Sequence, residues 1–113
     1  MVKFSIFLRK RAGMSHQEFV AYHTQQHAPL FKALPEVQHY VRHYVQCHAL
    51  PVSLPGFPSM YYDGITELWF DDVEAIGRLF SAPEYLALIR PDEEKFIAMD
   101  ECGFLIAEET VII

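Results

Sequence analysis

Histidines 23 and 27, in the stretch YHTQQHAPL, stand four residues apart. On a helix that spacing places both imidazoles on one face, about one turn apart. Imidazole titrates near neutral pH and is also a common metal ligand, so two chemistries compete. A structural zinc site needs about four ligands and a catalytic one about three plus water. The pair supplies two, and a third would come from His39, His43 or Glu67. Nothing in the spacing selects among those, and no HExxH arrangement sets a glutamate beside the first histidine. The expectation is therefore no metal and no cofactor, with the histidines as proton carriers.

Acid/base work needs only an imidazole and a group that sets its tautomer. Asp63, Ile65, Glu67 and Trp69 share one face of a strand-like run. A glutamate between apolar neighbours is costly to bury unless it is paired. If that face meets the helices, Glu67 orients His27; otherwise it forms a structural ion pair, for example with Arg42 or Arg9. Tyr40 or Tyr62 would hydrogen-bond a developing oxyanion. The catalytic candidates are thus His27, His23, Glu67 and Tyr40. The candidates for binding substrate are Tyr62, Asp63, Trp69, Phe80, Phe96 and His43. Tyr40 and His43 point to opposite faces of one strand, so only one of them can line a pocket. Trp69, Phe80, Tyr85 and Phe96 read first as core, some of them also walling a pocket for a planar ligand. His16 and His48 read as surface or cap residues. Neither cysteine forms a Cys-His nucleophile motif.

The elements that position these groups follow from periodicity. Val2 to Lys10 alternates as a strand. Ser15, with Glu18 three residues on, has capping-box spacing and opens a helix predicted to run to about Leu34. Pro29 should kink it just after His27. Val37 to His48 alternates again and is predicted as the second strand. The run ALPVSLPGFPSMYYDG holds three prolines and two glycines and reads as irregular. Its apolar residues Leu50, Val52, Leu54, Phe57 and Met60 should pack on the body, cap a pocket or meet a partner subunit. Ile65 to Phe70 is the third strand, Asp72 caps a helix over Val73 to Phe80, and Pro83 starts another helical piece. Pro91 should break that piece, with Asp92 to Ala98 adding a turn or two. Cys102 to Ile112 is the last strand. The order β-α-β-β-α-β specifies an α+β fold: an antiparallel sheet with both helices on one face. The bare face implies a second sheet against it, hence a homodimer.

Composition narrows the classes. With 113 residues, 51% hydrophobic and 21% charged, the chain is read as one domain with a real core. A formal charge of -6, and no basic cluster beyond Arg9-Lys10-Arg11, argues against a nucleic-acid partner. No apolar run approaches the roughly 20 residues needed to span a bilayer. The N-terminus alternates like a strand rather than a signal peptide, and Cys47 and Cys102 have no CxxC spacing; a cytoplasmic location is expected. Nine Phe, six Tyr, one Trp and six His are many for this length and suggest an aromatic-lined pocket for a small hydrophobic substrate.

In order along the chain, MSHQEFVAYHTQQHAPL resembles the first-helix signature of the EthD-domain family, within the dimeric α+β barrel superfamily. LPEVQHYV resembles that family's approach to its second strand, YDGITELWFDDVEAI its third strand and second helix, and SAPEYLALIRPDEEKF the segment beyond. The least matched piece is the proline-rich loop around residues 49–61. Position 23, often tryptophan in the family, is histidine here. The resemblance implies a ferredoxin-like subunit that dimerises sheet to sheet, with a pocket between helices and sheet. It favours Tyr40 for the pocket and leaves His43 on the dimer-facing side. The superfamily's fold also serves cofactor-free monooxygenases, haem-degrading enzymes, lactone isomerases and polyketide cyclases or dehydratases. EthD-like members are linked to fuel-ether degradation in bacteria and aromatic polyketide tailoring in fungi. Fold alone gives a range of chemistries. The expected function is cofactor-independent acid/base chemistry (cyclisation, dehydration, isomerisation or decarboxylation) on an aromatic polyketide, lactone or ketone. The alternatives are a non-catalytic carrier of a hydrophobic metabolite, and a haem-linked or oxygen-activating protein in which a helix histidine is the axial ligand.

Overall fold

The computed structural model describes residues 1–113. Strands β1 (Val2–Leu8), β2 (Val41–His48), β3 (Gly64–Phe70) and β4 (Gly103–Ala107) form one antiparallel sheet in the order β2-β3-β1-β4. Five short α-helices accompany it: α1 (His16–Tyr22), α2 (Ala28–Lys32), α3 (Pro35–Tyr40), α4 (Val73–Phe80) and α5 (Arg90–Glu93). This is the ferredoxin-like α+β arrangement that the element order predicts. No helix is long and apolar enough to cross a membrane.

Alternation along the strands assigns the faces. Phe4, Ile6 and Leu8 of β1, Thr66 and Leu68 of β3, and Tyr44 of β2 all border one space beneath the helices. Two buried clusters lie on this side. The larger includes Phe31, Leu34, Val37, Leu68, Phe70 and Leu79. The smaller is Leu8, Phe19, Phe96 and Ile97. Their separation leaves a cavity, because residues of both clusters line it.

Ser15 caps α1 as its type dictates: its hydroxyl accepts from the Glu18 N–H, and the Glu18 carboxylate accepts from the Ser15 N–H. The long first helix does not simply kink at Pro29. Its middle turn, His23–His27, widens into a π-helix in which the Ala28 N–H bonds to the His23 carbonyl. Proline lacks an N–H and its ring crowds the carbonyl four residues back, and the wider turn accommodates both effects. The same device recurs at the second helical piece. Pro91 does not break it; Tyr85–Ile89 is a π turn, the Arg90 N–H bonds to the Tyr85 carbonyl, and α5 continues through the proline.

The predicted second strand starts four residues late. Pro35 sits in the first turn of a short helix, with its fixed φ suited to that place. Leu34, Val37, Tyr40 and Val41 meet the core at helical spacing, which Val37 and Val41 alone also fit as strand alternation. The last strand is shorter than expected, ending at Ala107. The proline-rich loop does not fold onto the body: Leu50, Val52, Leu54, Phe57 and Met60 are each 56–70% exposed.

Candidate functional site

Both π turns border one cavity, which is about 330 Å³ and mostly apolar-walled. His23 and His27 come from the first, Tyr85 from the second, and Arg90 and Glu93 from α5 just beyond it. A π turn re-aims side chains relative to an α-helix, which is one reason such turns collect at functional sites. The sheet floor supplies Thr66, Leu68 and Tyr44.

His27 is buried, at 6% exposure, as is Asp92 of α5. Its Nδ1 lies 2.8 Å from Asp92 Oδ2, and the other carboxylate oxygen accepts from the Tyr22 hydroxyl at 2.5 Å. A carboxylate only accepts, so the imidazole proton must sit on Nδ1 and the lone pair on Nε2. Nε2 has no hydrogen-bond partner in the protein and belongs to a ring that lines the cavity. Burial holds His27 below the ordinary imidazole range although Asp92 pulls the other way. The ring is therefore a neutral base near neutral pH. Burial and the Asp92 charge push the Tyr22 phenol up to about 12, so it stays a donor.

His23, at 1% exposure, is arranged differently. Its Nε2 lies 3.0 Å from Thr66 Oγ1 and its Nδ1 lies 3.0 Å from His48 Nε2. Burial, then the neighbouring His27 and His48, lowers its pKa to about 3. With both ring nitrogens engaged, His23 has none left for an ion, and no group of three or more potential ligands surrounds the pair.

Also lining the cavity, Glu93 accepts from the Tyr85 hydroxyl at 2.9 and 2.7 Å and pairs with Arg90 Nε at 3.2 Å. Burial raises its carboxyl above the usual range, against the pull of Tyr85 and Arg90. The cavity thus carries a neutral base and a second titratable group in its lining.

The remaining candidates separate by face. Phe80 lines the cavity. Phe96 lies behind the histidines, its ring 5.0 Å from that of His27 and fully buried. Glu67 does not meet His27. It lies on the opposite sheet face, ion-paired with Lys3 and accepting from Cys47 Sγ at 3.3 Å, because odd and even positions of β3 point to opposite sides. Trp69 and His43 share that outer face, with ring centres 4.8 Å apart, and Tyr62 packs there against Phe7. Asp63 is tied to structure, accepting from the Lys10 N–H at 2.8 Å. Tyr40 ends α3 and packs on the main core rather than on the cavity. The sequence reading missed Asp92, Tyr22, Thr66, His48 and Glu93. Asp92 and Glu93 sit just past Pro91, where a helix break was expected, which hid the reach of α5 toward His27.

Comparison with known proteins agrees with this architecture. The family model described as EthD domain matches residues 11–100. The chain is 32% identical over 96 residues to the conidial pigment biosynthesis dehydratase EthD of Metarhizium robertsii, covering 77% of this chain and 67% of that one. The structure is similar to that of an ethyl tert-butyl ether d (ethd) family protein from Bacillus halodurans, with TM-score 0.70 and 24% identity over 97% of this chain and 99% of that one. A dimeric protein of unknown function and ferredoxin-like fold from Bacteroides fragilis aligns with TM-score 0.65 and 15% identity, covering 96% and 95%.

Proposed function

We propose, from the premise that this chain belongs to the EthD domain family, that it is an acid/base enzyme acting on a hydrophobic, oxygenated substrate held in the cavity between the π turns. The observation that carries this reading is the row Tyr22–Asp92–His27, which fixes one imidazole tautomer and leaves Nε2 bare on the cavity wall. A carboxylate that orients a histidine this way also stabilises the imidazolium formed when the ring takes a proton. His27 removes a proton from carbon next to a carbonyl; the C–H pair moves into a C=C bond and the carbonyl oxygen takes up charge. In dehydration, the chemistry named for the Metarhizium relative, that pair then expels a hydroxyl on the next carbon. The departing oxygen leaves as water by taking the one proton from the His27 imidazolium, which lines the same space. Isomerisation and cyclisation begin with the same proton removal. The apolar walls suit an aromatic or polyketide-like body, and Tyr44 and Thr66 are the hydroxyls nearest to hand for its oxygens.

A homodimer completes the reading. The outer sheet face bearing Val45, Trp69 and Leu105 offers a surface for a second copy, away from the cavity below the proline-rich loop, and the Bacteroides neighbour of this fold is dimeric. Sedimentation at micromolar concentration tests it, and a monomer there would remove it.

The catalytic reading is tested with β-tetralone, an enolisable bicyclic ketone, by following deuterium uptake from heavy water next to its carbonyl. The wild-type protein should accelerate exchange, and His27→Ala should lower the rate by about a hundredfold or more while the circular dichroism stays native. Binding of β-tetralone without exchange would instead make the protein a carrier.

A further inference from the structure

The His23 arrangement does more than fill a core. Thr66 Oγ1, His23 Nε2, His23 Nδ1 and His48 Nε2 form an unbroken series with two 3.0 Å contacts. Thr66 and His23 line the reaction cavity. His48 lines a second, outward cavity of about 390 Å³ with Met60, Tyr61 and Tyr62 at the end of the proline-rich loop. The two cavities are thus connected through the protein by side chains alone.

The chemistry of the partners matters as much as the distances. A hydroxyl and a neutral imidazole can each donate or accept. If His48 Nε2 carries the proton, it donates to His23 Nδ1 and His23 Nε2–H donates to Thr66. If His48 Nε2 is bare, every bond reverses and no atom loses its partner. A one-way partner such as a carbonyl or a carboxylate would fix a single tautomer, as Asp92 does for His27. The close fit is also built in: a Cβ at Gly64 would lie 2.8 Å from the Cys47 carbonyl and 3.4 Å from His48 Cδ2, so glycine there lets His48 sit against β3.

We propose that Thr66, His23 and His48 form a reversible proton relay between the reaction cavity and the outer cavity, an inference that rests on the acid/base reading above. The Thr66 hydroxyl gives its proton to the substrate oxygen as the C–H bond breaks at His27. Thr66 is refilled from His23 Nε2, His23 Nδ1 from His48 Nε2, and His48 Nδ1 takes one proton from solvent. Every bond broken is matched by one formed, and the row ends in its reversed state. When the enol returns to the ketone, or the product keto group forms, the same protons run back and reset it. Two chain states therefore match the two oxygen states of an enolisation. Of the nearby titratable groups, His16 lies on the His48 side and His27 on the His23 side.

The relay has a signature that needs no substrate. Imidazole nitrogen chemical shifts, measured on protein labelled in histidine, should place His23 and His48 between the donor and acceptor limits, since both tautomers are populated. His27 should show a protonated Nδ1 and a bare Nε2. His48→Glu, whose carboxylate only accepts, should collapse His23 to the single tautomer with its proton on Nδ1. His48→Ala should lower β-tetralone exchange about tenfold, and free imidazole, entering from the outer cavity, should restore part of it. A single tautomer at His23 in the wild-type protein overturns the relay, as does exchange unaffected by His48→Ala. Failure of the acid/base reading looks different: exchange would be absent in the wild-type protein, whatever the His23 spectrum shows.

Discussion

His23 and His27 close the two ends of one five-residue π turn, and both are almost fully buried. Their partners make them opposites. His27 faces Asp92, which only accepts, so its tautomer is locked and its reactive nitrogen is defined. His23 lies between a hydroxyl and another imidazole, which allow either direction, so its tautomer is free to switch. Sequence spacing treats the two rings as equivalent. What distinguishes them is the hydrogen-bonding repertoire of residues 25 to 65 positions away along the chain, with the lock and the switch set by carboxylate against imidazole.

The largest test of that contrast removes the lock while keeping the shape. Asp92→Asn presents an amide to His27 Nδ1 and permits the wrong tautomer, so exchange should fall by about a hundredfold or more. The matching change at the other end, His23→Gln, should cost far less activity. Equal losses in the two variants would erase the distinction.

Next comes acid stability. His23 titrates near 6.5 when unfolded and at about 3 when folded, so the folded state disfavours the proton. Its contribution is complete above about pH 6.5 and is lost as pH falls from there toward about 3. The shift is of order a few kcal/mol across that window. Thermal unfolding between neutral and mildly acidic pH should therefore fall less steeply in His23→Gln than in the wild type, and parallel curves would contradict this placement of the ring. His27 contributes with the same sign, since burial lowers its pKa too.

A smaller effect is expected at Tyr22. Its hydroxyl shares Asp92 with His27. Tyr22→Phe should cost about 1–2 kcal/mol in denaturant unfolding. It should also raise the His27 titration, because Asp92 then has one donor fewer. A His27 titration that does not move would break the proposed row. Smallest of all, Thr66→Ser keeps the hydroxyl and should leave exchange within about twofold, while Thr66→Val should resemble the loss of His48.

Much of the frame was legible before any coordinates. The period-two runs at Val2–Leu8 and Gly64–Phe70 and the Ser15–Glu18 capping box depend on near neighbours, and each forms where the pattern places it. The segment from Pro35 misled because Val37 and Val41, four apart, fit a helical stripe and a strand alternation at once; docking on the core decided for helix. Pro29 and Pro91 misled because a proline reads as a break, whereas a π turn ahead of each lets the helix pass. Glu67 misled because alternation fixes which residues share a face of β3 but not which face meets the helices.

The sequence by itself determined the element order, the α+β class and the histidine pair on one side of one helix, since all three follow from short-range spacing. Only the tertiary structure decided which carboxylate serves which imidazole. Asp92 reaches His27 because α5 continues through Pro91, and His48 reaches His23 because β2 pairs with β3. Hydrogen bonding is a contact of about 3 Å, and contacts between distant segments are set by packing rather than by local pattern.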